Sequence, residues 1–163
     1  MELKANLLDE GGVKRALNRI AHEIIEKNKG VENVILVGLK SRGMPLAQHI
    51  QGVIKQATDF EVPVYELDPT KKGEKLFDPK GKRAVIVDDV MYTGRTVRAA
   101  MEKILSFGKA ARVQLAVLID RGHHELPIRP DFVGKNVPTA KNEVISVNFP
   151  PFDKVIGVDI FEL

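Results

Sequence analysis

Two adjacent carboxylates, Asp88 and Asp89, end an apolar run of strand length, Ala84 to Val87. A turn rich in hydroxyls and glycine follows as Val90-Met91-Tyr92-Thr93-Gly94-Arg95-Thr96. Behind it Val97, Ala100, Met101, Ile104 and Leu105 recur at helical spacing until Gly108. A strand that hands its C-terminal end to a helix N-terminus gathers backbone N–H groups around one point. With the positive end of the helix dipole behind them, they form a phosphate seat. Unpaired carboxylates are too costly to bury as core residues, so the two Asp need hydroxyl groups to accept from or a metal to bind. A phosphate beside a diol describes a ribose 5-phosphate.

Two further stretches have the composition of anion-handling loops. Gly38-Leu39-Lys40-Ser41-Arg42-Gly43 puts two cations and two glycines after an apolar strand. It reads either as a plain surface turn or, beside a phosphate seat, as an oligoanion cradle. Residues 68–82 carry Lys71, Lys72, Lys75, Lys80 and Lys82 with Gly73 and Gly81. A connection of this length is a lid or a disordered segment. The pair His123-His124 suggests a metal, but adjacent side chains diverge and no Cys or third His is nearby.

The elements that must position these groups alternate along the chain. Val13, Ala16, Leu17, Ile20, Ala21, Ile24 and Ile25 form one apolar stripe between Asp9 and Gly30, which predicts an amphipathic helix. Asn33 to Gly38 reads as a buried strand. Pro45 opens a second helix that continues through Leu46, Ala47, Ile50, Val53, Ile54 and Ala57. Val62 to Leu67, the Ala84 run and Arg112 to Ile119 are the next strands, and Val144 to Val147 and Val155 to Ile160 suggest short ones. Strands interleaved with helices predict a parallel α/β sheet with its ligands at the strand C-terminal ends. The 163 residues fit a single domain, 1–163, with a real core. A net charge of +3 and a pI near 9.1 permit a polyanion partner without requiring one. The absence of cysteine excludes disulfides and thiolate metal sites. No apolar run reaches membrane-spanning length and no signal peptide opens the chain, so a cytoplasmic protein with no membrane partner is expected.

Asp88-Asp89 followed by Tyr92-Thr93-Gly94-Arg95-Thr96 resembles the signature of type I phosphoribosyltransferases, which bind phosphoribosyl pyrophosphate (PRPP). Residues 120–139, Asp120-Arg121-Gly122-His123-His124-Glu125-Leu126-Pro127-Ile128-Arg129-Pro130-Asp131-Phe132-Val133-Gly134-Lys135-Asn136-Val137-Pro138-Thr139, are more specific. With the helix Arg15 to Gly30 and the strand Gln114 to Ile119, they resemble the bacterial bifunctional pyrimidine-operon attenuator and uracil phosphoribosyltransferase family. The likeness implies the type I fold, a parallel sheet core flanked by helices with a small hood. It also implies two activities: UMP and pyrophosphate made from uracil and PRPP with Mg²⁺, and binding of pyrimidine-operon messenger RNA when UMP or UTP is bound. Members form homodimers or larger assemblies.

Carried over by motif, the resemblance gives Asp88 and Asp89 the ribose hydroxyls, directly or through Mg²⁺. It gives the 5-phosphate to Tyr92, Thr93, Gly94, Arg95 and Thr96, and the pyrophosphate to Lys40, Ser41, Arg42 and Gly43. Asp88, Asp89, Tyr92 and Arg42 become the catalytic set. Phe132 and Val133 become the base-holding pair, although Phe132 could equally be a core residue. RNA contacts fall on Arg15, Asn18, Arg19, His22, His124, Arg129 and Lys135. The first four also lie at i, i+3, i+4 and i+7 opposite the apolar stripe, a face able to meet phosphates and 2′-hydroxyls. Without the resemblance the same face reads as merely solvated.

Three departures from the family wording matter. Asn18 replaces a usual Thr. His124 replaces a usual Arg, which forfeits one phosphate contact and predicts a shallower salt dependence of RNA binding. The lid is short: the family has a considerably longer mobile loop with an Arg and acids, where fifteen residues here join Leu67 to Arg83. Doubled back on itself, seven residues per arm at ~3.3 Å each would still reach roughly 23 Å. Poorer exclusion of water predicts weaker catalysis. Three readings follow: an RNA attenuator with some turnover, a catalytically silent UMP-sensing RNA regulator, or a plain salvage enzyme for another base.

Overall fold

A computed structural model describes residues 1–163. Eight strands and three helices follow in the order β1 (Glu2–Leu8), α1 (Glu10–Asn28), β2 (Val34–Leu39), α2 (Gly43–Thr58), β3 (Val64–Leu67), β4 (Arg83–Met91), α3 (Arg95–Phe107), β5 (Arg112–Asp120), β6 (Phe132–Asn136), β7 (Glu143–Asn148) and β8 (Gly157–Glu162). The central sheet has five parallel strands in the order β3-β2-β4-β5-β6. A second, antiparallel sheet of order β1-β8-β7 is the small hood.

The central strands are buried on both faces, so their apolar residues sort by alternation rather than into one wet and one dry side. Leu36, Val85, Val87, Ala116 and Leu118 face α1 and α2, together with hood residues Ile145, Val147, Val158 and Ile160. Ile35, Val37, Ala84, Ile86, Leu115 and Val117 face α3. Each fully buried Leu or Ile contributes ~1.5–3 kcal/mol relative to exposure. The stripe read from Val13 to Ile24 is the buried face of α1. Asp9 caps that helix by accepting from the Gly12 N–H at 2.7 Å, and Lys29 closes it in the left-handed region.

Two strands went unread in the sequence. β1 is an edge of the hood in which Leu3, Ala5 and Leu7 alternate with Glu2, Lys4 and Asn6, but the run is short and mostly exposed. β6 begins at Phe132 and Val133, the pair expected to hold the base. No helix is long and apolar enough to cross a membrane.

Candidate active site

The register brings four strand ends to one edge of the sheet. Gly38 of β2 lies beside Val87, Met91 of β4 beside Asp120, and Asp120 of β5 beside Asn136 of β6. The connections that leave these ends, 40–42, 92–94, 121–131 and 137–142, therefore share one mouth. Asp88 and Asp89 sit on the last turns of β4. The Asp88 carboxylate accepts from the Asp89 N–H and the Asp89 carboxylate from the Val90 N–H, both at 2.8 Å. Burial, and then the neighbouring charge of Asp89, push the Asp88 carboxyl well above its ordinary value. An acid held this way has unmet demand for a hydroxyl or a cation.

The 92–96 turn joins a strand end to a helix N-terminus, as the sequence predicts. Gly94 adopts φ 92°, a conformation open to glycine, and caps α3 with no side chain of its own; the Arg95 N–H donates to the Thr93 hydroxyl at 3.3 Å, and the Thr96 and Val97 N–H groups have no side-chain partner. A cavity of about 140 Å³ opens there, lined by Asp88, Tyr92, Thr93, Gly94 and Thr96 among others. Arg95 points elsewhere: its Nε donates to Glu125 at 2.8 Å.

The 40–43 loop lies directly on β4. A Cβ on Gly43 would come 2.3 Å from the Val87 carbonyl oxygen, and one on Gly38 would come 2.6 Å from the Met44 Cα. Both glycines are therefore required by close backbone approach, which brings the loop beside Asp88. Lys40 and Ser41 are exposed, and Arg42 is half-buried.

A second cavity, of about 300 Å³, adjoins the first and is lined mostly by polar residues. Asp120, Arg121, Gly122, His123, Asn136, Pro138 and Thr139 line it. Arg121 is buried; its Nε donates to the Thr139 hydroxyl at 2.9 Å and its Nη2 to the Ala140 carbonyl at 3.3 Å. Asp120 accepts from the Gly122 N–H at 3.0 Å and from the His124 ring at 2.8 Å. These residues lie within the segment that carries the family resemblance, but apart from His123 and His124, considered as a metal pair, and His124 as an RNA contact, the sequence singles out none of them. The available signal was an Asp-Arg-Gly run following a buried strand.

The expected base-holding pair is not there. Phe132 pairs with Ala116, at the far end of β6 from the mouth, and is packed in the core against α1 with 3 % of its surface exposed. Val133 faces the α3 side. The parallel register allows nothing else, because a residue opening β6 lies at the strand N-termini while ligands meet the C-termini.

The 68–82 segment also behaves differently from a doubled-back lid. It leaves β3 at Leu67, beside Leu39, but enters β4 at Arg83, beside Val34. Its two ends are five strand residues apart, roughly 17 Å, so much of its length is used in crossing the sheet. Phe77 pins it midway. That ring is buried, stacks on Tyr65 at 4.5 Å and meets Phe107 edge-on at 5.2 Å. Lys103 of α3 donates to the Asp68 carbonyl at 2.9 Å and to that of Lys71. The segment is a strap along the α3 face.

The residues expected to meet RNA fall into two groups. Arg15, Asn18, Arg19 and His22 are all exposed along α1. Arg19 reaches β6, donating to the Val133 and Gly134 carbonyls at 3.1 and 2.7 Å, next to exposed Lys135. Asn18 accepts from His49 at 3.2 Å. Arg129 is exposed on the 121–131 connection, whereas His124 is turned inward onto Asp120.

The chain matches the phosphoribosyl transferase domain family over residues 4–151. It is 49 % identical to the "Bifunctional protein PyrR" of Clostridium novyi (strain NT) and 50 % identical to that of Thermoanaerobacter sp. (strain X514), with 99 % of each chain covered in both cases. Those alignments run over 177 positions, more than the 163 residues of this chain, so the relatives carry additional residues. In fold it is similar to hypoxanthine phosphoribosyltransferase from Trypanosoma cruzi in complex with the product IMP (TM-score 0.77, 16 % identity, 99 % and 92 % of the two chains covered). It is equally similar to a hypoxanthine-guanine phosphoribosyltransferase from Bacillus anthracis (TM-score 0.78, 15 % identity, 98 % and 99 % covered).

Proposed function

Because this chain belongs to the phosphoribosyltransferase family and, within it, to the bifunctional PyrR proteins, we propose that it regulates pyrimidine genes as a uridine-nucleotide-responsive RNA-binding attenuator and also makes UMP from uracil and PRPP. The observation that carries the enzymatic half is the shared mouth where Asp88, the free N-terminus of α3, the 40–43 loop and the polar 120–139 cavity converge. On this reading it works in the cytoplasm, where PRPP and nascent RNA are both at hand.

In the reaction the ring nitrogen of uracil forms a bond to the anomeric carbon of PRPP while the bond from that carbon to pyrophosphate breaks, and the proton on that nitrogen is released to the departing pyrophosphate or to water. Positive charge develops on the ribose ring and negative charge on the leaving group. Catalysis is therefore positioning and electrostatics. Asp88 and Asp89 accept from the ribose hydroxyls. Thr93, Gly94, Thr96 and the first N–H groups of α3 hold the 5-phosphate, and Tyr92 walls the cavity on the side of the base. Lys40, Ser41, Arg42 and Gly43 take the pyrophosphate. The 120–139 cavity takes the base, in place of Phe132 and Val133. Asp120, Arg121, His123, Asn136 and Thr139 line it, groups of the kind that a small heterocycle with alternating carbonyl and N–H groups requires.

The donor set suits Mg²⁺. No group of three or more His, Cys, Asp or Glu is assembled for a metal, so the protein provides Asp88 and Asp89 alone. An ion that keeps most of its ligands as water and substrate oxygens fits that site. When bound, Mg²⁺ supplies charge neutralisation for the departing pyrophosphate.

The pinned strap favours slow turnover, and thus gives weight to a second reading in which the site senses UMP without synthesising it. The deciding experiment follows UMP formation from uracil and PRPP with Mg²⁺, with hypoxanthine, guanine and orotate in parallel, and RNA binding with and without UMP. Slow, uracil-specific turnover and RNA affinity that rises with UMP are expected. UMP-stimulated RNA binding with no turnover would leave the sensor alone. Turnover on another base without RNA binding would overturn the proposal in favour of a salvage enzyme.

A further inference from the structure

The turn between β7 and β8, residues 149–156, reaches down from the hood onto the 40–43 loop. There Nε and Nη2 of Arg42 donate to the two carboxylate oxygens of Asp153 at 3.1 and 3.2 Å. The ring of Phe152 lies 5.5 Å from the guanidinium carbon. Asp153 is itself held in place, since it accepts from the Phe149 N–H at 2.9 Å. The side chains of the pair are 35 % and 20 % exposed, so water and salt screen it less than an ordinary surface pair.

A guanidinium has two edges able to grip an anion with paired N–H groups. Asp153 occupies the edge formed by Nε and Nη2, which leaves the side carrying Nη1 for another anion. The hydrogen bond that Arg42 donates to Asp153 raises its pKa above the ordinary value, and the charges of Asp153 and Asp89 add to this. The guanidinium thus stands between a hood carboxylate and the acids of the ribose site. Its rotamer is held by Asp153 before any ligand arrives, which removes part of the ordering cost of binding.

We infer that Asp153 is the positioning residue for the pyrophosphate of PRPP, holding Arg42 by one edge so that the other faces the leaving group. The inference rests on the assignment of the 40–43 loop to pyrophosphate. It links the hood, which meets that loop through Asp153 and Phe152, to recognition of one half of the substrate.

UMP serves as the internal control, because it carries the ribose 5-phosphate and the base but no pyrophosphate. The experiment titrates the whole protein calorimetrically with PRPP and with UMP, each with Mg²⁺, for wild type, D153N, R42A and the double variant. Asn keeps the size of Asp153 and an acceptor for the Phe149 N–H while losing the charge. Expected are a roughly tenfold loss of PRPP affinity in D153N, an unchanged UMP affinity, and no further loss when D153N is added to R42A. D153N binding PRPP as well as wild type, or more tightly, overturns the inference, the latter because Asp153 would then be competing with the anion. An equal loss for UMP, or additive losses in the double variant, overturns it as well. R42A binding PRPP like wild type overturns the loop assignment and the inference with it.

Discussion

The guanidinium carbon of Arg121 stands 4.0 Å from the centroid of the Tyr92 ring, so the turn that follows β4 and the end of β5 meet through a cation–π contact. The Arg121 N–H donates to the Met91 carbonyl at 3.1 Å, and His123 packs edge-on against the same ring at 5.4 Å. Tyr92, which lines the cavity at the start of α3, therefore touches two residues that line the neighbouring one, Arg121 and His123.

Arg121→Lys keeps the charge but loses the planar stack and the fork that holds Thr139 and Ala140. A buried cation–π contact is worth about 1–2 kcal/mol, so UMP affinity should fall roughly five- to thirtyfold. PRPP has no base and should lose less than twofold. Isothermal titration with the two ligands checks this, and equal losses would argue against a separate base cavity.

Asp88 makes a pH prediction with a definite sign. Its carboxyl is raised above the ordinary 3.8 by burial first and by Asp89 second, so the folded chain holds that proton more tightly than the unfolded chain. The stability it contributes is full below the ordinary value and is lost as pH rises through the raised one. Asp88→Asn removes the loss. The variant should melt a few degrees above wild type at pH 7.5, with the gap closing toward pH 4, and it should lose PRPP binding by more than tenfold. In wild type, PRPP affinity with Mg²⁺ should climb with pH as Asp88 ionises. Melting curves across pH and a binding profile test both halves.

The strap is tested at Phe77. Truncation to Ala empties a site between Tyr65 and Phe107 and should cost about 3 kcal/mol, within the usual range for a buried Phe. If residues 68–82 were a lid whose motion limits the reaction, loosening them would change kcat. Since they are a fixed crossing, kcat per folded molecule should stay within twofold at a temperature well below the melt. Denaturant unfolding and steady-state kinetics on the same preparation separate the two effects.

The phosphate turn was legible because its signals are local: a strand, two acids, a glycine and a helix stripe lie within one continuous run. The base cavity was not, because it depends on register. Phe132 reads identically whether it opens a strand or closes one, and only pairing with Ala116 shows that it lies at the wrong end of the sheet. The strap misled for a similar reason, since loop length carries no information on whether its ends are neighbours. Asp153 was invisible because 111 residues separate it from Arg42.

The exposed face of α1 gives the last prediction. Arg19 lies 48 % exposed at the centre of a row with Arg15, Asn18 and His22, and its guanidinium is braced by two β6 carbonyls rather than left to wander. A braced cation can meet an RNA phosphate with little further loss of rotamer freedom. Arg19→Glu replaces that cation with a carboxylate one turn from Glu23, which should lower RNA affinity at least 100-fold at low salt and reduce the slope of log affinity against log salt by about one unit. Arg19→Gln, which loses the charge without reversing it, should fall between. Neither change reaches the strand C-terminal ends, so UMP affinity should hold within twofold. Gel-shift titrations over a salt series and UMP calorimetry on the same variants decide it: parallel loss of RNA and UMP binding would mean that α1 supports the nucleotide site and is not a separate RNA surface.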